Sequence, residues 1–190
     1  MKKTCRRMAL LAAAAVVAFG TLLPLSSRAA DNPFKNARVG EWVETVTTSE
    51  SMGRSMETKM RQTVVAKDAV SITLKTVATM MGKERAPVES KIMFNKPYQP
   101  FVQGDSDAVA TPLGEGTETI TVDGRSYACH WTKVKIVATK PLPVQSTIKA
   151  WSSKDVPLNG IVKMENDSVM TVNGAPRNTR MTMKLTGFGK

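Results

Sequence analysis

Apolar and polar residues alternate along most of the chain after residue 40, which is the pattern of half-buried β-strands. One alternating run extends from Met56 to Val64 and a second from Val70 to Met80. Further strands are predicted over residues 39–49, 84–94, 117–122, 125–139, 144–151, 161–172 and 175–187. No segment keeps the helical period over three turns. The pattern therefore predicts about nine strands and no long helix in this part of the chain.

Short turn signals separate these strands. Asp123-Gly124 and Asn173-Gly174 are dipeptides that two-residue turns of type I′ favour, because both central residues take positive φ. Lys67-Asp68 separates the first two runs. We expect an all-β fold of mainly antiparallel strands in a curved sheet or half-barrel. Prolines and glycines interrupt residues 95–116, which we expect to form a long loop with a short helical turn near residues 105–109.

The first thirty residues have a different composition. A basic start is followed by an apolar run over residues 10–20 and then by Ser27-Arg28-Ala29-Ala30, which is typical of a secretory signal peptide. Small residues at 27 and 29 favour cleavage after Ala29. We therefore expect a signal helix within residues 1–29, a single β domain over residues 30–190, and a periplasmic or secreted protein. The pair Arg6-Arg7 leaves the twin-arginine export route open.

Removal of the signal peptide changes the charge and the cysteine count. Five of the 27 basic residues leave with it, so 22 stand against 16 acidic residues and the net charge falls from +11 to +6. The remaining basic residues are dispersed, so we expect no nucleic-acid partner, while contact with an anionic envelope surface stays open. Cys129 is the only cysteine left. We expect it to be buried, in a monomer without disulfides.

Few residues could support catalysis. His130 is the single histidine, which excludes metal sites that need two histidines. Cys129 and His130 are adjacent, but consecutive strand residues point to opposite faces and cannot act together as nucleophile and base. Asp105 and Asp107 could both bind calcium, yet further oxygen ligands at loop spacing are lacking. We expect no enzyme activity, no metal and no cofactor, and an enzyme of unknown type is the third alternative for the function.

A sequence resemblance to known proteins suggests how the predicted strands are arranged. The segment Trp151-Ser-Ser-Lys-Asp-Val-Pro-Leu-Asn-Gly-Ile-Val follows Asp123-Gly-Arg-Ser-Tyr-Ala-Cys129, and together they resemble small exported β-proteins of unknown function. In those proteins a strand ends in Trp, an Asp/Val/Pro corner follows, and Gly starts the next strand. They are similar to the LolA-like lipoprotein carriers, whose curved antiparallel sheet encloses an apolar cavity. The strand pattern spans Trp42 to Phe188, but no lipoprotein-sorting motif matches.

Methionine is the compositional oddity, since ten of the 12 remain after processing. Methionines fill irregular cores or line adaptable apolar surfaces, and thioethers together with His130 could bind Cu(I).

Our leading hypothesis is non-catalytic binding of a lipid or other apolar ligand on the concave face of the sheet. The alternative is a structural or protein-interaction component of the cell envelope with a closed core. The candidate ligand-binding residues are Met56, Met60, Ile72, Leu74, Trp131, Val134 and Met183.

Overall fold

Ten β-strands and one short 3₁₀ helix form the part of the protein that the structure, a computed structural model, describes: residues 32–95, 107–140, 143–172 and 174–190. The predicted signal peptide and its cleavage site lie outside these residues. The 3₁₀ helix is Pro33–Asn36. The strands are β1 (Trp42–Ser51), β2 (Arg54–Lys67), β3 (Ser71–Met80), β4 (Lys83–Glu84), β5 (Val88–Met93), β6 (Val109–Val122), β7 (Arg125–Ala138), β8 (Val144–Ser152), β9 (Ile161–Val172) and β10 (Ala175–Gly189).

All strands belong to one sheet, in the order β4-β3-β2-β1-β10-β9-β8-β7-β6, and β5 pairs with the free part of β3. Every ladder is antiparallel. The two ends of this order are not paired with each other, so the sheet is open. The prediction of an all-β fold with a curved antiparallel sheet is confirmed. No helix within the described ranges is long and apolar enough to cross a membrane.

The predicted turns organise the hairpins. Asp123 and Gly124 have φ of 48° and 75°, which fits the type I′ turn expected between β6 and β7. Asn173 lies outside the described residues. The turn between β2 and β3 is held by Asp68, whose Oδ1 accepts hydrogen bonds from the backbone N–H groups of Val70 at 2.8 Å and Ser71 at 2.6 Å.

The predicted long loop over residues 95–116 is wrong in its second part. β6 begins at Val109, and residues 109–116 pair with β7. Neither Asp107 nor Ala108 is helical, and residues 96–106 lie outside the described part of the chain. Pro112 and Gly114 are tolerated because β6 is an edge strand, where a missing N–H costs no ladder hydrogen bond, and the register shifts between these two residues.

The core shows that the sheet curls. Ile72 and Leu74 of β3 belong to one buried cluster with Val122 and Tyr127 of the β6–β7 hairpin, although these strands lie far apart in the strand order. β10 and β6 also contact each other although three strands lie between them, so the sheet bends over on itself. The other buried members of the cluster are Phe34, Ala37, Val43, Val64, Cys129, Trp151, Val156, Leu158, Val162 and Leu185.

We call the face of the sheet that carries Val43, Val64 and Leu185 the inner face and the opposite one the outer face. The core members Val43, Val64, Ile72, Leu74 and Leu185 occupy the end of the inner face where β1 begins. Residues 125–129 of β7 pair with β6 but not with β8, so this hairpin tip extends beyond the rest of the sheet. Tyr127 and Cys129 at the tip share one face of β7 with Trp131, and both are buried in the core cluster.

Candidate ligand-binding face

Methionines collect on the inner face beyond the core. Met60 lies four residues before Val64 on β2, and Met183 lies two residues before Leu185 on β10, so the period of two places both on the inner face. The register then aligns Met183 with Met164 of β9. We call this part of the inner face the methionine face. Its members are Met56, Met60, Met80, Met164, Met181, Met183, Val134 and Ile148.

Most of this face is half-buried rather than packed. Ile148 is buried, Met56 is 42% exposed, and the other methionines of the face have intermediate exposure. Methionine has a flexible, unbranched thioether chain that adapts to ligands of different shape. A partly exposed surface rich in apolar side chains is typical of a binding surface, and here Thr47 and Ser49 of β1 lie between the methionines of β2 and those of β10.

Two polar atoms on the inner face lack hydrogen-bond partners. Thr45 Oγ1 and Asn166 Oδ1 are both buried, and no donor or acceptor of the described residues reaches either atom. Thr45 is 6% exposed. The great majority of buried polar atoms in native proteins are hydrogen-bonded, so each of these two atoms requires an explanation.

The structure distributes the seven predicted site residues over three environments. Met56, Met60, Val134 and Met183 lie on the methionine face. Ile72 and Leu74 share the inner face but are 0% and 1% exposed, because they belong to the closed core.

The predicted placement of Trp131 on the concave face with Val134 is wrong, because the structure places Trp131 on the outer face. It is three residues from Val134 on β7, and an odd separation along a strand means opposite faces. The prediction did not include Met80, Met164, Met181, Thr45 and Asn166. For Met181, the shared period with Met183 was a sufficient signal.

The outer face holds Trp131 between glycines and a lysine. A Cβ added to Gly116 would lie 2.9 Å from Trp131 Nε1, so glycine leaves room for the indole. Lys149 Nζ is 4.5 Å from the Trp131 ring centroid and 4.3 Å from that of Trp151. Glu118 accepts hydrogen bonds from Trp151 Nε1 and from Lys149 Nζ. The Trp151 bond is the main cause that lowers the pKa of Glu118, so this carboxylate is ionised at neutral pH.

The corner after Trp151 is part of the scaffold. Val156 and Leu158 are buried in the core, and Gly160 has φ of 72°. A Cβ on Gly160 would lie 2.9 Å from the backbone oxygen of Ser153, so the corner needs glycine there. The corner also forms one wall of an open cleft of about 1520 Å³, whose other walls include His130 and the end of β10.

Cys129 and His130 lie in different environments, and the described residues assemble no metal centre. Cys129 is 3% exposed, and burial, with smaller effects from Glu118 and Asp155, raises the pKa of its thiol. The His130 side chain is about half exposed, with Nε2 3.8 Å from a Glu115 carboxylate oxygen. Within the described ranges no three His, Cys, Asp or Glu side chains are grouped to hold a metal.

Asp107, which we considered for calcium, is engaged by the protein itself. Its Oδ1 accepts hydrogen bonds from the backbone N–H groups of Thr139 and Lys140, both at 2.9 Å. The Thr139 hydroxyl is the main cause that lowers the pKa of this carboxyl. Asp105 lies outside the described residues.

The fold and the two faces define a class: an open, curled antiparallel sheet with a methionine-rich inner face and a charged outer face. No protein-family model matches the chain, and no curated protein matches it.

Three crystal structures are similar to the chain. One is a candidate exported protein with a YmcC-like fold from Bacteroides fragilis, 13% identical, which covers 81% of this chain and 97% of its own, with a TM-score of 0.47. The second is a candidate lipoprotein from Parabacteroides distasonis, 13% identical, covering 80% and 96%, with a TM-score of 0.45. The third is a DUF1329 family protein from Desulfovibrio piger, 9% identical, covering 82% and 86%, with a TM-score of 0.26.

Proposed function

We propose that this protein is an exported, non-catalytic binding protein that holds a lipid or another apolar ligand on its methionine face. The observation that carries the proposal is the half-buried cluster of six methionines on the inner face of a curled sheet. Apolar concave surfaces with few polar groups are typical ligand sites. The export part of the proposal depends on the predicted signal peptide.

The expected affinity follows from the apolar area that a chain would bury. Each buried methylene contributes about 0.8 kcal/mol, so ten methylenes would contribute about 8 kcal/mol before the cost of immobilising the ligand. This value corresponds to a Kd of about 1 μM before that cost is subtracted. A surface of this kind therefore suits an acyl chain of ten or more carbons.

A paired substitution tests the face directly. Met60→Asp places a carboxylate among the methionines, and Met52→Asp places the same carboxylate in the β1–β2 turn, where Met52 is 72% exposed. Ligand binding is measured by displacement of a naphthylamine dye with decanoic acid, and folding by circular dichroism. We expect Met60→Asp to lose dye and acid binding, and Met52→Asp to keep both.

Mass spectrometry of an organic extract of the gently purified, processed protein provides an independent readout. A stoichiometric lipid in the extract supports the proposal. A folded Met60→Asp variant that binds decanoic acid as well as the unsubstituted protein would remove the methionine face from consideration.

The outer face favours a second candidate, contact with an anionic membrane surface. The register places Lys163 directly opposite Lys184, and Lys133 directly opposite Lys149. Like charges at opposed positions destabilise a sheet, and an anionic surface would relieve that repulsion. Within the described residues Lys133 and Lys184 have no acidic partner, whereas Lys163 and Lys149 are paired with Glu165 and Glu118.

Vesicle sedimentation tests this second candidate. Vesicles rich in phosphatidylglycerol should bind the unsubstituted protein at low salt and release it as salt rises. The Lys133→Glu/Lys184→Glu variant should bind much less, and Lys154→Glu, a control in the exposed corner, should bind normally. Equal binding by all three proteins would contradict a role for the outer face.

A further inference from the structure

We infer that the ligand of the methionine face is an amphiphile whose polar group carries a hydrogen-bond donor, and that this group binds at either of two buried acceptors, Asn166 Oδ1 or Thr45 Oγ1. The inference rests on the proposed function and specifies the chemistry of the ligand. It excludes a purely hydrocarbon ligand and favours one with an alcohol or an N–H group placed within the apolar surface.

Asn166 lies in the middle of the methionine face. The register sets it opposite Met181 on β10 and opposite Ile148 on β8, and Met164 shares its face two residues earlier on β9. Its amide oxygen is buried and has no donor among the described residues. An amide oxygen is an acceptor only, so the missing partner must be a donor.

Thr45 provides the second position. The register sets it between Met60 of β2 and Leu185 of β10. It is 6% exposed, and its hydroxyl oxygen is buried without a partner. A threonine hydroxyl both donates and accepts, so it can pair with an alcohol in either direction.

The two unpartnered atoms occupy one continuous surface. Asn166 and Thr45 stand on either side of β10, opposite Met181 and Leu185, with Met183 midway between those two residues. Asn166 and Thr45 are separated by two strand spacings across the sheet and by four residues along it, which corresponds to about 16 Å. Apolar residues flank both atoms, so a bound chain that follows the methionines would bring its polar group to one of them.

The free-energy argument concerns the cost of leaving these atoms unpaired. A buried polar atom without a partner destabilises the protein, and a ligand that supplies the partner removes that cost on binding. A ligand of the same length without a donor leaves the cost in place. A site built this way therefore discriminates between the two ligands.

The experiment compares 1-decanol with decyl methyl ether, which cannot donate a hydrogen bond. Both are titrated against the dye-loaded protein, and the ratio of their Kd values is the readout. The variants are Asn166→Leu and the nearly isosteric Thr45→Val. The matched controls on the outer face are Asn178→Leu and Thr182→Val. Chemical unfolding of the ligand-free proteins is measured in parallel.

We expect the unsubstituted protein and both controls to prefer decanol by roughly tenfold or more. In Asn166→Leu and in Thr45→Val the preference should be reduced while the ether binds as before. Neither variant should be less stable than the unsubstituted protein, because each removes an unpartnered polar group.

The outcomes separate this inference from the proposed function. If the ether and the alcohol bind equally to the unsubstituted protein, the donor inference is wrong while apolar binding stands. If the alcohol preference survives in both variants, these two atoms do not receive the donor and the inference is overturned. If neither compound binds, the proposed function fails with it.

Discussion

Replacing Gly160 with alanine should destabilise the protein through the corner that closes the core. Gly160 has φ of 72°, and an added Cβ would meet the backbone oxygen of Ser153 at 2.9 Å. That contact is shorter than a real Cβ tolerates, and its partner is backbone that cannot rotate away. The same corner is tied by a hydrogen bond of 2.9 Å from the Ser153 N–H to the Gly160 carbonyl.

The magnitude follows from two separable costs. Alanine in the left-handed region costs about 1 kcal/mol relative to glycine. To relieve the close contact, Ser153 must move, which weakens its hydrogen bond and costs about 1 kcal/mol. The same movement shifts the buried Leu158, which costs a similar amount. The expected loss for Gly160→Ala is therefore about 3 kcal/mol, a large part of the stability of a typical domain.

Gly124→Ala is the matched control, because Gly124 has φ of 75° and nothing within 4 Å of an added Cβ. Urea unfolding followed by fluorescence should give a loss of about 1 kcal/mol for this control. The melting temperature should fall by about 2–4 °C for Gly124→Ala and about three times as much for Gly160→Ala. Equal losses in the two variants would refute the close approach at the corner.

Three further predictions concern other positions. Gly116→Ala should push the Trp131 indole from its position, because the added Cβ would lie 2.9 Å from Nε1, and near-ultraviolet circular dichroism should change while far-ultraviolet signals persist. Hydrogen bonding, chiefly from the Val70 N–H, lowers the Asp68 pKa from 3.8, so its stabilisation is present well above that unfolded value and is lost as pH falls through the lowered pKa. Asp68→Asn should flatten this acid dependence in urea titrations. Cys129, 3% exposed and with a raised pKa, should react with iodoacetamide at pH 8 roughly a hundredfold more slowly in the folded protein than in urea, and similar rates would contradict its burial.

Local patterns in the sequence were enough to predict most of the strands. The period of two and the turn at Asp123-Gly124 depend on neighbouring residues only, so the hairpins could be predicted without knowledge of their partners. The same period of two also places Trp131 and Val134 on opposite faces of their strand. The loop prediction over residues 95–116 failed because Pro112 and Gly114 are read as breakers, while the structure places them in an edge strand that tolerates them.

The candidate site could be predicted only in part. Met60 and Met183 are recognisable as apolar residues on the same faces of their strands as core residues. Met183 meets Met164 through the β9–β10 hairpin, but Met60 shares their surface only because β10 pairs with β1, a segment more than a hundred residues away. The sequence pattern could not distinguish Ile72 and Leu74, packed in the closed end, from residues on the accessible part of the same face.

The sequence by itself determined the antiparallel β class, the hairpins and the divergence of Cys129 from His130, because each depends on local periodicity. Only the tertiary structure decided which strands become neighbours, where the sheet curls and which end the core fills, because these depend on long-range pairing. Long-range pairing of β1 with β10 also brings Met60 and Met183 onto one surface. The two faces therefore acquire their chemistry from register and curvature, which no single segment contains.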